Sequence, residues 1–200
     1  ISLVSKFNKL SVHVIGDTIV DTYTKTNFIG GQTKTPTFSV LYDKEESFVG
    51  GAAIVALHLK AAGAKVQFTS LVSNDKNGNF VKKKLKKNKI KSNFFEEKNR
   101  PTTHKNTFIS SSYKLLKVDT LSNTPISEET LVKILKKISK DKSQIVVFSD
   151  FRHGIFNSSS ISKLLKTIPK KCFTAGDSQV ASRWGNITQF KKFDLITPNF

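Results

Sequence analysis

Residues 48–75 read FVGGAAIVALHLKAAGAKVQFTSLVSND, and the order of residue types in this stretch decides the fold. From Gly51 to Ala62 the apolar residues fall at helical spacing. Ala53, Leu57 and Ala61 share one face and Ile54 lies on its flank. The run closes at Gly63, a helix C-cap signal. Residues 65–72, KVQFTSLV, then read as a strand. Upstream, residues 11–15, SVHVI, are β-branched and apolar and run into Gly16, which predicts a buried strand. Helix therefore follows turn, and strand follows helix, without a second turn-rich insertion.

The same rhythm continues downstream. Residues 78–88 predict a lysine-faced helix anchored by Phe80, Val81 and Leu85. Residues 127–139 open with Ser-Glu-Glu, a polar cap followed by acidic first-turn residues, and continue with Leu131, Ile134, Leu135 and Ile138. Residues 144–149, QIVVFS, predict a buried strand that ends at Asp150. Residues 158–167 predict a helix stopped by Pro169, and residues 172–175 and 193–197 predict short strands. Alternating strands and helices imply an α/β fold: a mainly parallel sheet with helices on both faces. Two stretches break the rhythm. Residues 22–48 and 103–118 are strand-like with no helix between the strands, which predicts a small β lid over one end of the sheet. There is no internal repeat and no linker to a second domain.

Composition excludes several classes. The 200 residues are 38% hydrophobic and include 16 Phe, enough for a packed core. The single cysteine, Cys172, excludes an intramolecular disulfide and a cysteine-built zinc site, and its place in a predicted strand makes it a core thiol. No apolar run is long enough for a spanning helix, and the first ten residues lack a signal-peptide core, so a reducing cytoplasm is the expected location. The net charge of +18 raises a polyanion partner. Thirty of the 33 basic residues are Lys, however, and only positions 100, 152 and 183 are Arg. Base-edge and phosphate recognition favours Arg, so the expectation is solvated lysine faces rather than nucleic acid.

Three motifs lie where chemistry belongs, at the carboxyl ends of strands. Gly16-Asp17-x-x-x-Asp21 follows the first strand; a carboxylate there can accept hydroxyl hydrogen bonds from a polyol or can simply close a turn. Gly50-Gly51-Ala52-Ala53 opens a helix, where small residues admit a ligand to backbone N–H groups or merely allow a tight turn. It is neither a P-loop nor a GxGxxG fingerprint. Ser149-Asp150-Phe151-Arg152-His153-Gly154 follows the buried strand at 144–149. The four histidines have no metal-ligand spacing, and no nucleophile elbow supports a Ser-His-Asp arrangement.

Taken in order, these segments resemble the PfkB, or ribokinase-like, carbohydrate kinases, closest to the branch that phosphorylates heptose phosphates. VIGDTIVD looks like that family's opening strand with its sugar-binding acid. FVGGAAIVALHLKAAGAKVQFTSLVSND resembles its double-glycine signature. RPTTHKNTFI and LLKVD resemble its lid-return segment, FSDFRHGIF its Asp-Tyr-x-Lys-Gly turn, and DLITPNF the start of its Asn-x-x-Glu motif. The resemblance implies a ribokinase-like fold and transfer of a phosphoryl group from ATP, with Mg²⁺, to a hydroxyl of a sugar or sugar phosphate. It assigns Asp17, Asp21, Gly50, Gly51, Lys105 and Asp150 to the substrate and Asn199 to the cofactor side. It also implies a homodimer paired through the lid.

Departures accompany the resemblance. Ile54 stands where the family has Asn, and His153 where it has Lys. The family's Gly-Ala-Gly-Asp segment, which supplies the general base, has no match. With no Met in the chain and an end just after TPN, residues 1–200 are expected to form the N-terminal part of one kinase domain. The lid would occupy about 22–48 and 103–118, with the C-terminal catalytic part absent and no catalytic residue present. Such a piece alone is expected to be inactive. Two other readings stand beside this one: a non-catalytic sugar or nucleotide sensor on the same fold, and a polyanion-binding protein.

Overall fold

The computed structural model describes residues 4–30, 37–179 and 186–198. Asn199 therefore lies outside the described residues. After a 3-10 helix at Val4–Lys9 come β1 (Ser11–Gly16), β2 (Thr18–Gly30), β3 (Ser39–Gly51), α1 (Ala52–Ala61), β4 (Lys65–Leu71), α2 (Lys76–Lys87) and β5 (Lys91–Phe95). They are followed by β6 (His104–Ser110), β7 (Tyr113–Thr120), α3 (Glu128–Ile138), β8 (Ile145–Asp150), α4 (Ser158–Thr167), β9 (Phe173–Ser178) and β10 (Leu195–Ile196).

Six strands form one sheet in the order β10-β9-β8-β1-β4-β5. Every pairing in it is parallel. The alternation of β1 explains the two covering layers. Val12 and Val14 point to one side and pack with Ala52, Ala53 and Ala56 of α1 and Val81 and Leu85 of α2. Ile15 points to the other side and packs with Leu131 and Ile134 of α3 and Ile161 and Leu164 of α4. A strand buried on both faces needs apolar residues at nearly every position, and SVHVI provides them apart from Ser11 at its start and the buried His13. Helices therefore lie on both faces, as the pattern implies.

A second sheet has the order β3-β2-β6-β7. β2 pairs antiparallel with β3 and parallel with β6, and β6 pairs antiparallel with β7. This is the lid, and it is longer than the sequence suggested. β2 begins two residues after β1 ends, and β3 runs directly into α1. The strand β5, a short segment with Lys91 and Asn93 among its five residues, was not foreseen. It forms an edge by pairing with β4. Cys172 precedes β9 instead of lying within it, and its buried thiol donates to the Ser143 carbonyl at 3.0 Å.

His13 is the polar exception in β1. Its Nδ1 lies 2.7 Å from Asp141 Oδ2 and its Nε2 lies 2.8 Å from Thr69 Oγ1. Gln67 Nε2 donates to Asp141 Oδ1 at 2.7 Å and the Ser143 hydroxyl donates to the same oxygen at 2.9 Å. Burial opposes ionisation of Asp141. The hydrogen bond and charge of His13 and the bonds from Ser143 outweigh it and hold the carboxyl down to about 2. A carboxyl lowered on folding stabilises the fold above its ordinary range near 4, and that contribution disappears as pH falls toward 2. The Asp141→Asn variant should lose about 2 kcal/mol of stability at neutral pH and show a flatter acid limb between pH 4 and 2. Urea denaturation at a series of pH values measures both; an unchanged acid limb would refute the assignment.

Candidate functional site

The strand order locates the crevice. From β1 the chain builds outward through β4 and β5 on one side and through β8, β9 and β10 on the other. In open parallel sheets the cleft opens at the carboxyl ends of the strands where this reversal occurs. Here that point lies between Asp17, just after β1, and residues 150–154, at and just after the end of β8.

Asp17 ties three elements together. Its N–H donates to the Ser149 carbonyl at 3.2 Å and its carbonyl accepts the Ala52 N–H at 2.8 Å. Its Oδ2 accepts the N–H groups of Phe151 at 2.9 Å and His153 at 3.1 Å. The residue is 3% exposed. Burial and the neighbouring Asp150 push its carboxyl up to about 7 in spite of those N–H donors. The carboxylate thus caps the loop after β8, and the residue also lines the cavity beside it.

Asp21 lies in β2, opposite Phe48 on one side and Lys105 on the other, and Lys105 lies opposite Asp119. This row runs across one face of the lid. Burial raises the Asp21 carboxyl, against the pull of Lys105 and Lys117. A Cβ on Gly50 would lie 2.2 Å from Asp21 Oδ2. Gly51 has φ +60, and a Cβ there would lie 2.3 Å from the Asp17 carbonyl oxygen. The four residues Asp17, Asp21, Gly50 and Gly51 are therefore brought together at the root of the lid, and Lys105 joins them. The N-terminus of α1 carries no side-chain cap.

Asp150 is not brought to the cleft, which corrects its placement as a substrate contact. It is the last residue of β8, fully buried. Its Oδ1 accepts the Arg152 N–H at 2.8 Å. Its Oδ2 accepts the Ser178 hydroxyl at 2.7 Å and the Asn186 side-chain N–H at 2.8 Å. These bonds use the carboxylate to hold the end of β9 and the segment at Asn186.

Sequence reasoning missed Arg100. Its Nε donates to Glu97 at 2.9 Å, and its Nη1 donates to the carbonyls of Ser122 and His153, both at 3.0 Å. Its Nη2 donates to the Thr124 carbonyl at 2.7 Å. It thereby joins the segment after β7 to the loop after β8. The available signal was its type: a lone Arg among lysines, next to Pro101.

A cavity of about 20 Å³ lies between lid root and core, lined by residues including Asp17, Thr18, Ser73, Arg100, Thr103 and His153. That volume holds a single water. Pockets for small organic ligands run from about 300 Å³ upward, so this cavity as it stands does not admit one. Among the described residues no group of three or more His, Cys, Asp or Glu could hold a metal ion.

A parallel α/β core with a buried carboxylate at its crevice lies under a four-stranded β lid. The chain belongs to the pfkB family of carbohydrate kinases, whose sequence profile matches residues 9–115. It is 29% identical over 98% of its length to a protein of Desulfatibacillum aliphaticivorans named "Bifunctional protein HldE", of which it covers 40%. It is 30% identical over 74% of its length to the protein of that name from a Nitratiruptor species, covering 32% of it. The chain thus spans about two fifths of the length of the first relative. Among solved structures, ribokinase of Arabidopsis thaliana, complexed with ribose and ATP, superposes with a TM-score of 0.68 at 14% identity. The match covers 94% of this chain and 60% of that one. A carbohydrate kinase from Agrobacterium tumefaciens gives 0.58 at 13% identity, with 84% and 53% covered. These likenesses show the ribokinase-like fold.

The two glycines should respond differently to substitution. Gly51→Ala places a side chain at positive φ against backbone and should destabilise the fold by roughly 1–3 kcal/mol. Gly50→Ala meets only the mobile end of Asp21 and should leave thermal unfolding nearly unchanged. Melting followed by circular dichroism decides it, and equal losses for both would contradict the geometry.

Proposed function

We propose that the protein is an ATP-dependent sugar kinase, transferring a phosphoryl group to a hydroxyl of a sugar or sugar phosphate. The observation that carries the reading is the placement of Asp17 at the switch point, where it lines a small cavity at the lid root, with Gly51 packed against its carbonyl and Asp21 packed against the neighbouring Gly50. Asp21 and Asp17 would accept sugar hydroxyls, and Lys105, facing Asp21 across the lid, would meet an anionic or polar substituent. The uncapped start of α1 adds N–H donors close to the same place. Lid closure would exclude water from the acceptor hydroxyl, which suppresses hydrolysis of the donor and strengthens every charge interaction inside.

In this reading ATP is the donor and Mg²⁺ neutralises the charge that develops on its phosphates. The described residues do not offer a ligand set for that ion, and none of them is assigned the part of general base. Asn199 stays with the cofactor side as a proposal. Among the described residues no helix is long and apolar enough to cross a membrane. The lone free thiol fits a reducing compartment, and we place the protein in the cytoplasm.

The lid's other face supports a second copy as partner. Thr22, Thr24 and Thr26 line it, and cross-strand register puts Tyr42, Leu116 and Val118 beside them. Those three are exposed. Charge is sparse on that face, with Glu45 opposite Thr24 as an exception, and between two chains that each carry +18 such a face is where pairing costs least. Sedimentation of the parent and of a Leu116→Glu variant tests this: a dimer that the charge dissociates is expected, and a monomeric parent would contradict it.

The kinase reading is tested by titrating a panel of sugars and sugar phosphates in a calorimeter and by coupling ADP release to a spectroscopic assay in the naturally occurring full-length protein. Asp21→Ala should keep the parent's melting temperature and weaken sugar binding by about tenfold to a hundredfold, the worth of a charge-assisted hydrogen bond. Asp17→Ala should weaken binding similarly and also lower the melting temperature, since two N–H groups lose their acceptor. No binding and no ADP with any member of the panel would overturn the proposal.

A further inference from the structure

We infer that the His153 imidazole is a specificity-determining contact of the cleft, meeting an uncharged hydroxyl of the ligand with a ring nitrogen; this rests on the sugar-binding reading above. Both ring nitrogens are buried, and neither has a hydrogen-bond partner among the described residues. Buried polar atoms without partners are rare in folded proteins, and each calls for a reason. Here the reason lies in the surroundings.

The backbone of His153 is fixed at both ends. Its N–H is bound by Asp17 Oδ2 at 3.1 Å and its carbonyl by Arg100 Nη1 at 3.0 Å. The preceding residue, Arg152, has φ 66, a left-handed conformation seldom adopted by a long side chain and found where a loop is held for function. The ring hung from this pinned backbone lines the same small cavity as Asp17, Thr18 and Thr103. The backbone N–H and carbonyl of the residue are thus satisfied, and the two ring nitrogens are left for whatever enters the cavity that the residue lines. Such a side chain is already oriented before binding, so little entropy is lost when a hydroxyl arrives.

The charge of the surroundings decides what the ring can recognise. Burial, Lys105 and Arg100 all disfavour the imidazolium, and Asp119 alone opposes them, which holds the group down to about 4. At neutral pH the ring is uncharged and offers one donor and one acceptor. That pair suits a hydroxyl, which both donates and accepts. A lysine at this position would offer donors only, with a full charge.

The experiment uses the naturally occurring full-length protein with ribose, mannose, fructose and their monophosphates as probes. Binding is followed by calorimetry, and melting temperature is recorded for each variant. His153→Phe keeps a planar ring and removes both nitrogens. It should weaken binding of the sugar that the parent prefers by about tenfold or more, with a melting temperature equal to or above the parent's. His153→Gln, neutral with a donor and an acceptor, should restore most of the affinity, whereas His153→Lys should not. A Phe variant that binds as the parent does overturns the inference and leaves the sugar-binding reading intact. A Phe variant whose melting temperature falls by more than roughly 5 °C shows a structural ring and overturns it as well. A parent that binds none of these sugars and sugar phosphates overturns the sugar-binding reading, and this inference falls with it.

Discussion

The hydrogen bond from the Ala52 N–H to the Asp17 carbonyl, 2.8 Å long, is the constraint on which the rest of the site depends. β1 is the central strand of the core, and a single residue separates it from the lid strand β2. The direction in which the lid leaves the core is therefore set by the backbone of Asp17. β3 returns along β2 and delivers Gly51 to that same carbonyl, with Thr18 opposite Gly51 in the register. Helix α1 starts at once, and its first N–H closes the loop. Core, lid and helix meet in one backbone contact, and only a residue without a side chain, free to take φ +60, permits it.

The parts legible in the sequence are those fixed by periodicity. The strands at 11–15 and 144–149 follow from nearly continuous apolar runs, which burial on both faces of the sheet requires, and the four helices follow from apolar residues spaced at 3.6. β5 escaped notice because an edge strand has one neighbour and can carry Lys91 and Asn93 without cost. The lid's true length was hidden for a related reason. Thr22, Thr24 and Thr26 are buried, but their hydroxyls are satisfied by Ser47, Asn106 and the Ile109 carbonyl. A face built from such pairs does not look apolar in sequence. Asp17 and the double glycine were readable from their places at strand ends. Asp150 misled because its position fits a ligand contact as well as it fits a tie to Ser178 and Asn186. Only the hydrogen bonds distinguish the two.

A lid rooted without linkers cannot open as a flap on a loose hinge. β2 and β3 enter the core directly, so on that side movement must come from twisting the strands themselves. On the other side the connections are longer: residues 96–103 lead into β6 and residues 121–127 lead away from β7. Arg100 sits in the first and holds carbonyls in the second, while Glu97 accepts the Ser127 N–H. These bonds keep the two connections in register with the loop after β8. One polar hub, and not a large apolar seal, thus joins these connections to the core.

The contrast between Arg100 and the lysines also bears on the charge of the chain. A lysine presents a compact, strongly hydrated ammonium, so a surface of lysines stays solvated and keeps the protein soluble without fixing any geometry. Holding carbonyls from Ser122, Thr124 and His153 together with the Glu97 carboxylate needs several donors in a rigid plane. Only a guanidinium supplies them. Lysine serves nearly everywhere else in this sequence, and Arg100 and Arg152 bracket the connections around the cleft. The +18 charge is therefore a property of the solvated exterior. The charges nearest the site are local: Lys105, flanked by Asp21 and Asp119 in the cross-strand register, and Arg100, held by Glu97.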